Sequence, residues 1–117
     1  MTGIETVSQR VFSATTMIGD DVINPNGENL GEIEDFMIDL VNGKVVYAIL
    51  SFEGVLGIGE RLFAVPLSAL RMDEDARCFV LDASREKLNN APGFEPDQWP
   101  DMSDAEWAGQ IQAYWRA

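Results

Sequence analysis

The sequence predicts a mostly β protein, a small antiparallel β-barrel of about six strands followed by a C-terminal extension that ends in an α-helix. Three observations lead to this prediction. Short apolar runs alternate with turns rich in Asn, Gly and Pro, as in β-hairpins. The second run changes its alternation once, which indicates a β-bulge. Only the residues near the C-terminus have the apolar spacing of a helix.

The length of 117 residues suits one domain, because two halves would approach the lower size limit for independent folding. We expect residues 1–16 to be a flexible lead-in. Residues 17–88 are expected to form the barrel domain and residues 89–117 the extension, with a helix over about residues 104–115.

The barrel is expected to begin with a hairpin. A first strand covers residues 19–24, and residues 24–27 read Asn-Pro-Asn-Gly. Proline fixes φ near −65°, while Asn and Gly tolerate positive φ. This combination predicts a tight turn into the next strand.

The second strand, residues 28–40, is expected to carry a bulge. Strand side chains alternate with a period of two, but the apolar residues of this segment change phase once. The change falls between Ile33 and Phe36, which places the bulge at Glu34 or Asp35. A bulge of this kind bends a strand toward closure of a barrel.

A third strand, residues 44–53, follows an Asn-Gly turn at residues 42–43. Its apolar residues occupy both faces. One face of a barrel strand points to the interior, so the other face, with Val45, Tyr47 and Ile49, needs a cover. A helix, a terminus or another subunit would provide it.

The remaining barrel elements are shorter. We expect strands at residues 61–67, 71–72 and 77–82, one helical turn at residues 68–70 and a short helix that begins at Ser84.

The extension is expected to wrap the barrel and end in an aromatic helix. Three prolines keep residues 89–102 extended. Residues 103–106, Ser-Asp-Ala-Glu, form a capping box with serine at the N-cap. One stripe of this helix is expected to cover the outer face of the barrel or to pack against another subunit. Together with the outer face of the third strand, the stripe is also a candidate interaction surface for a partner: Val45, Tyr47, Ile49, Trp107, Ile111, Tyr114 and Trp115.

Composition excludes several classes of function. Twenty acidic and eight basic residues give a net charge of −12, which disfavours binding to nucleic acid or anionic lipid. The chain has no histidine and a single cysteine, Cys78, so it has no internal disulfide, no Cys/His zinc site and no imidazole-dependent triad. Cys78 is expected to be a buried strand residue. We expect no enzyme activity, no cofactor and no metal.

Three candidate sites have simpler interpretations. The glycines of residues 54–59 suggest a phosphate loop, but Glu60 and a strand follow where a lysine and a helix are needed. The carboxylates of the second strand are expected to be solvated, although proton or cation handling stays an alternative. The other acidic clusters lack the ligand spacing of a calcium loop. These carboxylates are Glu32, Glu34, Asp35 and Asp39 on the strand, Asp73, Glu74 and Asp75 in the last hairpin, and Asp97, Asp101 and Asp104 before the helix.

Residues 19–35, which read GDDVINPNGENLGEIED, resemble the opening of a PRC-barrel domain. Further matching segments follow in order at residues 38–39, 43–45, 57–59 and 65–67 and at Leu70. The resemblance implies a barrel of about six antiparallel strands, similar to the cytoplasmic part of the photosynthetic reaction-centre H subunit and to the C-terminal domain of a ribosome-maturation factor. Both relatives are noncatalytic, and the resemblance assigns no functional residues.

These observations favour a noncatalytic, self-associating adaptor that forms a dimer or a larger homo-oligomer and binds an unidentified protein partner. The alternative is an accessory subunit of a membrane electron-transfer complex that assists proton uptake, with peripheral attachment to that complex. A carboxylate-based enzyme or a cation-binding protein ranks third. No apolar run is long enough for a membrane span or a signal peptide, so the expected compartment is the cytoplasm.

Overall fold

The computed structural model describes residues 11–53 and 59–116. It confirms a mostly β chain with a C-terminal helix. The expectations for residues 1–10 and 54–58, including most of the glycine-rich connection, lie outside the described residues. The strands are β1 Asp21–Ile23, β2 Asn29–Asp39, β3 Lys44–Glu53, β4 Glu60–Pro66, β5 Leu70–Asp73, β6 Cys78–Leu81 and β7 Gly93–Phe94, and the helices are α1 Ala14–Met17, α2 Arg85–Asn89 and α3 Ala105–Arg116, with a 3₁₀ turn at Leu67–Ala69.

The strands form one sheet in the order β5-β6-β1-β2-β3-β4-β7. This differs from the expected six antiparallel strands in two ways. β1 pairs with β6 in parallel, a pairing that the long connection through β2 to β5 permits. β7 adds a seventh strand beside β4, formed by the extension. Within the described residues the pairings do not join β5 to β7, so the curved sheet is open between these two strands.

The predicted bulge is confirmed in β2. Ile33 pairs with Leu50 and Asp35 pairs with Ile49, so Glu34 is the extra residue. A second register shift, which the sequence did not reveal, occurs between Met37 and Ile38. Both shifts bend the β2–β3 hairpin and redirect the side chains near its tip.

The first turn is organised by Asn24, which is 3% exposed. Its Oδ1 accepts hydrogen bonds from the backbone N–H groups of Asn26 (3.1 Å) and Glu28 (2.9 Å). Its Nδ2 donates to the carbonyl oxygen of Ala83 at 3.2 Å, beyond the end of β6. The sequence indicated Asn24 only as a turn residue. Asn24 therefore also links the first hairpin to the end of β6, the parallel neighbour of β1.

Both faces of β3 are covered at residues 47–50, as its sequence predicted, whereas Val45 near the start of the strand is exposed. The side chains of Ala48, Ile49 and Leu50 are fully buried. On the face of Tyr47 the cover is α3, since the rings of Tyr47 and Trp107 meet edge to face with centroids 5.4 Å apart.

Helix α3 begins one residue later than the expected residue 104. Asp104, not Ser103, is the N-cap, because its Oδ1 accepts a hydrogen bond from the N–H of Glu106 at 3.0 Å. The capping prediction for Ser103 was therefore wrong. An aspartate at this position also suits the helix dipole, which favours a negative charge at the N-terminus.

The C-terminal end of α3 is held against α2. The hydroxyl of Tyr114 donates a hydrogen bond to the carbonyl oxygen of Lys87. The ammonium of Lys87 lies 5.8 Å from the ring centroid of Tyr114 and 5.7 Å from that of Trp115. These distances place the cation over both aromatic rings. Ile111, in the middle of the helix, has no exposed surface.

Candidate interaction site

The structure places most of the predicted interaction surface inside the chain. Tyr47, Ile49, Ile111 and Trp115 are buried, and Trp107 and Tyr114 are half-buried. Only Val45 is exposed, at 37%. Tyr47 on the outer face of β3 packs against Trp107 of the α3 stripe, and α3 lies mainly against β4. Most of these side chains therefore pack within the chain.

The exposed apolar residues lie mainly at another place, around the tip of the β2–β3 hairpin and the segment that precedes α1. Leu40 is 87% exposed and Val41 is 93% exposed. Val11 is 87% exposed and Phe12 is 45% exposed. The residues on the two sides of the hairpin line two separate concave surfaces.

The first concave surface, called here the apolar face, is an open cavity of about 740 Å³. It lies between the hairpin, α1 and β5. Every lining residue is apolar or glycine, and none carries a charge. The principal side chains are Val11, Phe12, Phe36, Val45, Leu70 and Met72.

The second concave surface, called here the acidic-edged groove, has a volume of about 650 Å³. It lies between the hairpin, the segment just before α3 and Gln112 of α3. Its floor contains Met37, Val46 and Met102, and Leu40 and Val41 form one wall. Asp39 is the charged residue of its lining.

Asp39 shapes the hairpin turn that separates the two surfaces. Its Oδ1 accepts a hydrogen bond from the N–H of Val41 at 2.9 Å, and its Oδ2 accepts one from the side-chain amide of Asn42 at 2.7 Å. These bonds, chiefly the one from the Asn42 side chain, hold the pKa of the Asp39 carboxyl below its ordinary value of 3.8.

The lowered pKa of Asp39 predicts how the stability of this hairpin turn changes with pH. The ionised carboxylate stabilises the folded hairpin at pH values above 3.8, and this contribution is lost as the pH falls through the lower pKa of the folded state. We expect an NMR titration to give an Asp39 pKa below 3.8. In Asn42→Ala the same pKa should move up toward that value, and an unchanged pKa would contradict the assignment.

A third depression, of about 400 Å³, has an acidic rim. Asp21, Glu32, Glu53 and Glu60 line it, and the hydroxyl of Ser51 donates a hydrogen bond to Glu60. The carboxylates that the sequence singled out on β2 do not converge there. Of these, only Glu32 lines the depression. Glu34 is the bulge residue, and Asp35 accepts a hydrogen bond from the N–H of Phe36 at 2.7 Å. Asp39 lies in the hairpin turn.

The other acidic clusters provide acceptors for turns and a cap. Asp73 accepts a hydrogen bond from the N–H of Ala76 at 3.1 Å, and Asp101 accepts one from the N–H of Ser103 at 3.0 Å. In residues 11–53 and 59–116, no group of three or more Cys, Asp or Glu side chains is arranged to hold a metal ion. Nor does this part of the chain contain a helix of the length and apolarity that a bilayer span requires.

Cys78 lies at the start of β6 and is 6% exposed, as the sequence predicted. Burial, reinforced by the carboxylates of Asp73, Asp21 and Asp20, raises the pKa of its thiol above 9.0. The reactive thiolate is therefore scarce at neutral pH.

This environment predicts that the thiol of Cys78 reacts slowly with thiol reagents. In the native chain at pH 8, Cys78 should react with Ellman's reagent more than about tenfold more slowly than the same thiol in guanidinium-unfolded chain. Because the sequence contains one cysteine, the final signal should equal one thiol per chain. Equal rates in the native and unfolded chains would show that β6 is open to solvent.

Comparison with known proteins agrees with this architecture. The sequence profile of the PRC-barrel domain matches residues 9–88, which is more than half of the chain. The chain therefore belongs to the PRC-barrel domain family, as its motifs suggested.

A solved structure from Pseudomonas aeruginosa, described as a 16S ribosomal RNA processing protein, RimM, is similar at 15% sequence identity with a TM-score of 0.41. The similarity covers 67% of this chain and 48% of that structure, so the chain spans about half of its length. The search of curated proteins gave no match.

Proposed function

We propose that this PRC-barrel protein is a noncatalytic, self-associating adaptor whose copies meet through the apolar face. The observation that carries the proposal is the apolar face itself, in which Val11, Phe12 and Val45 are exposed beside a cavity of about 740 Å³ without a charged lining residue. Exposed apolar side chains grouped on one face, without charged neighbours in the lining, are typical of surfaces that bind another protein.

The charge of the chain limits where two copies can meet. Each copy carries a net charge of −12, so most orientations of two copies are repulsive. Residues 40–52 contain no Asp or Glu and one Lys. A two-fold interface sets the same patch against itself, so an uncharged patch brings the fewest acidic groups together.

Sedimentation velocity over a range of protein concentrations tests the proposal. We expect a concentration-dependent shift from monomer to dimer, and a stronger dimer at higher salt because screening weakens the repulsion. A strict monomer at every concentration and salt level would overturn the self-association part of the proposal.

A matched pair of variants locates the interface. Val11→Ser combined with Phe12→Ser should weaken the dimer by at least about tenfold, since burial of one such apolar side chain contributes about 1.5–3 kcal/mol. Leu40→Ser combined with Val41→Ser removes two equally apolar, exposed side chains outside the apolar face and should leave the dimer unchanged.

The second candidate function is an accessory subunit of a membrane electron-transfer complex that assists proton uptake. The depression lined by Asp21, Glu32, Glu53 and Glu60 favours it, because four carboxylates give this surface a negative potential that attracts cations. Fractionation of the native cells separates the two candidates. Recovery of the chain with the membranes would favour this second function, and a wholly soluble pool would count against it.

A further inference from the structure

The acidic-edged groove differs from the apolar face in its electrostatic surroundings. Asp39 is in its lining, and Asp101 and Asp104 immediately precede and follow the lining residues Met102 and Ser103. Both aspartates are exposed, and their hydrogen bonds to backbone N–H groups fix them at this edge. No cationic side chain is among the lining residues.

The nearby basic residue Lys44 balances only part of this charge. Lys44 is the strand partner of Asp39 and lies close enough to lower its pKa. Asp101 and Asp104, which flank the lining residues Met102 and Ser103 in sequence, add to the potential of a chain that already carries a net charge of −12. The groove therefore combines apolar side chains with polar ones and lies at a negative potential.

We infer that the acidic-edged groove binds a basic amphipathic helix of a partner protein, with the apolar side of that helix against Met37, Val46 and Met102 and its Lys or Arg side chains toward Asp101 and Asp104. This inference specifies the partner of the adaptor proposed above. The charge distribution favours this occupant, since an acidic segment would be repelled and a basic one attracted.

The floor of the groove suits such a helix. Methionine side chains are flexible and polarizable, so Met37 and Met102 adapt to apolar side chains of different shape. Amphipathic helices commonly bind by placing their apolar stripe in a hydrophobic groove. Recognition then depends on the apolar stripe and on the sign of the flanking charges.

Fluorescence anisotropy with two labelled peptides tests the inference on the full-length chain. One probe is an amphipathic helical peptide of Leu and Lys, and the other has Glu in place of every Lys. The Lys peptide should bind, and its affinity should fall as NaCl rises from about 0.05 M to about 0.5 M. The Glu peptide should not bind.

Variants of the chain locate the site. Asp101→Asn combined with Asp104→Asn removes two charges but keeps side-chain acceptors for the turn and the N-cap, so the fold is retained. It should weaken binding of the Lys peptide by about threefold to tenfold. Leu40→Ser combined with Val41→Ser should also weaken binding, whereas Val11→Ser combined with Phe12→Ser should not.

Three results would overturn the inference: no binding of the Lys peptide, equal binding of both peptides, or affinity unchanged by the groove variants. Loss of the dimer in Leu40→Ser/Val41→Ser would also overturn it, because the occupant would then be a second copy of the chain. A chain that dimerises but does not bind the Lys peptide would support the proposed self-association and overturn the groove inference. A strict monomer that binds the Lys peptide would support the groove inference and overturn the self-association.

Discussion

Gly31→Ala is expected to destabilise the fold by at least about 3 kcal/mol, a large share of the 5–15 kcal/mol that stabilises a typical domain. Gly31 has a φ of +109°, which an L-residue rarely adopts, and it lies in β2 against β3. A Cβ atom there would be 2.1 Å from the carbonyl oxygen of Ser51 and 3.3 Å from the Cα of Phe52. Backbone atoms cannot move aside cheaply, so the strands would separate locally.

Gly109→Ala provides the matched control. Gly109 lies within α3 and is exposed, and a Cβ atom added to it would meet no neighbouring atom within 4 Å. The same substitution should therefore stabilise the chain by about 0.5–1 kcal/mol through helix propensity. Guanidinium unfolding followed by circular dichroism measures both changes. A loss of less than about 1 kcal/mol in Gly31→Ala would contradict the close approach of β2 and β3.

Ile111→Ala is expected to cost about 2–5 kcal/mol. Ile111 has no exposed surface and belongs to the core cluster that also contains Trp115. Truncation of its side chain leaves a cavity in this core, because the surrounding side chains relax only partly into the space. Loss of the edge-to-face contact between Tyr47 and Trp107 should also change the tryptophan fluorescence of the variant if α3 separates.

Ile38→Ala removes the same atoms at a position that is 58% exposed, and we expect it to cost less than about 1 kcal/mol. Unfolding of the two variants under identical conditions compares burial directly. If Ile111→Ala cost no more than Ile38→Ala, α3 would not be docked. The aromatic stripe would then be free to serve as the interaction surface that the sequence first indicated.

Local features of the sequence predicted most of the strands correctly. The turns at residues 24–27 and 42–43 and the phase change at Glu34 each depend on neighbouring residues, and the structure confirms them. The parallel pairing of β1 with β6 joins segments that are far apart in the chain. No local pattern of alternation specifies such a pairing, and the same is true of β7 beside β4.

The candidate site was harder to predict for a related reason. The outer face of β3 and the stripe of α3 are both apolar, and each alone looks like a binding surface. Only the tertiary structure shows that the rings of Tyr47 and Trp107 pack against each other. The exposed pair Leu40 and Val41 was visible in the sequence as apolar residues beside a turn, but periodicity assigned Leu40 to a strand face rather than to an exposed tip.

Hydrogen exchange of the wild-type chain at a low and a high protein concentration tests the central claim, that copies of this chain join through the apolar face. Amides of residues 11–17 and 70–72 should exchange more slowly at the high concentration, whereas those of α3 should be unaffected. Exchange that is independent of concentration everywhere, or protection confined to α3, would contradict the claim.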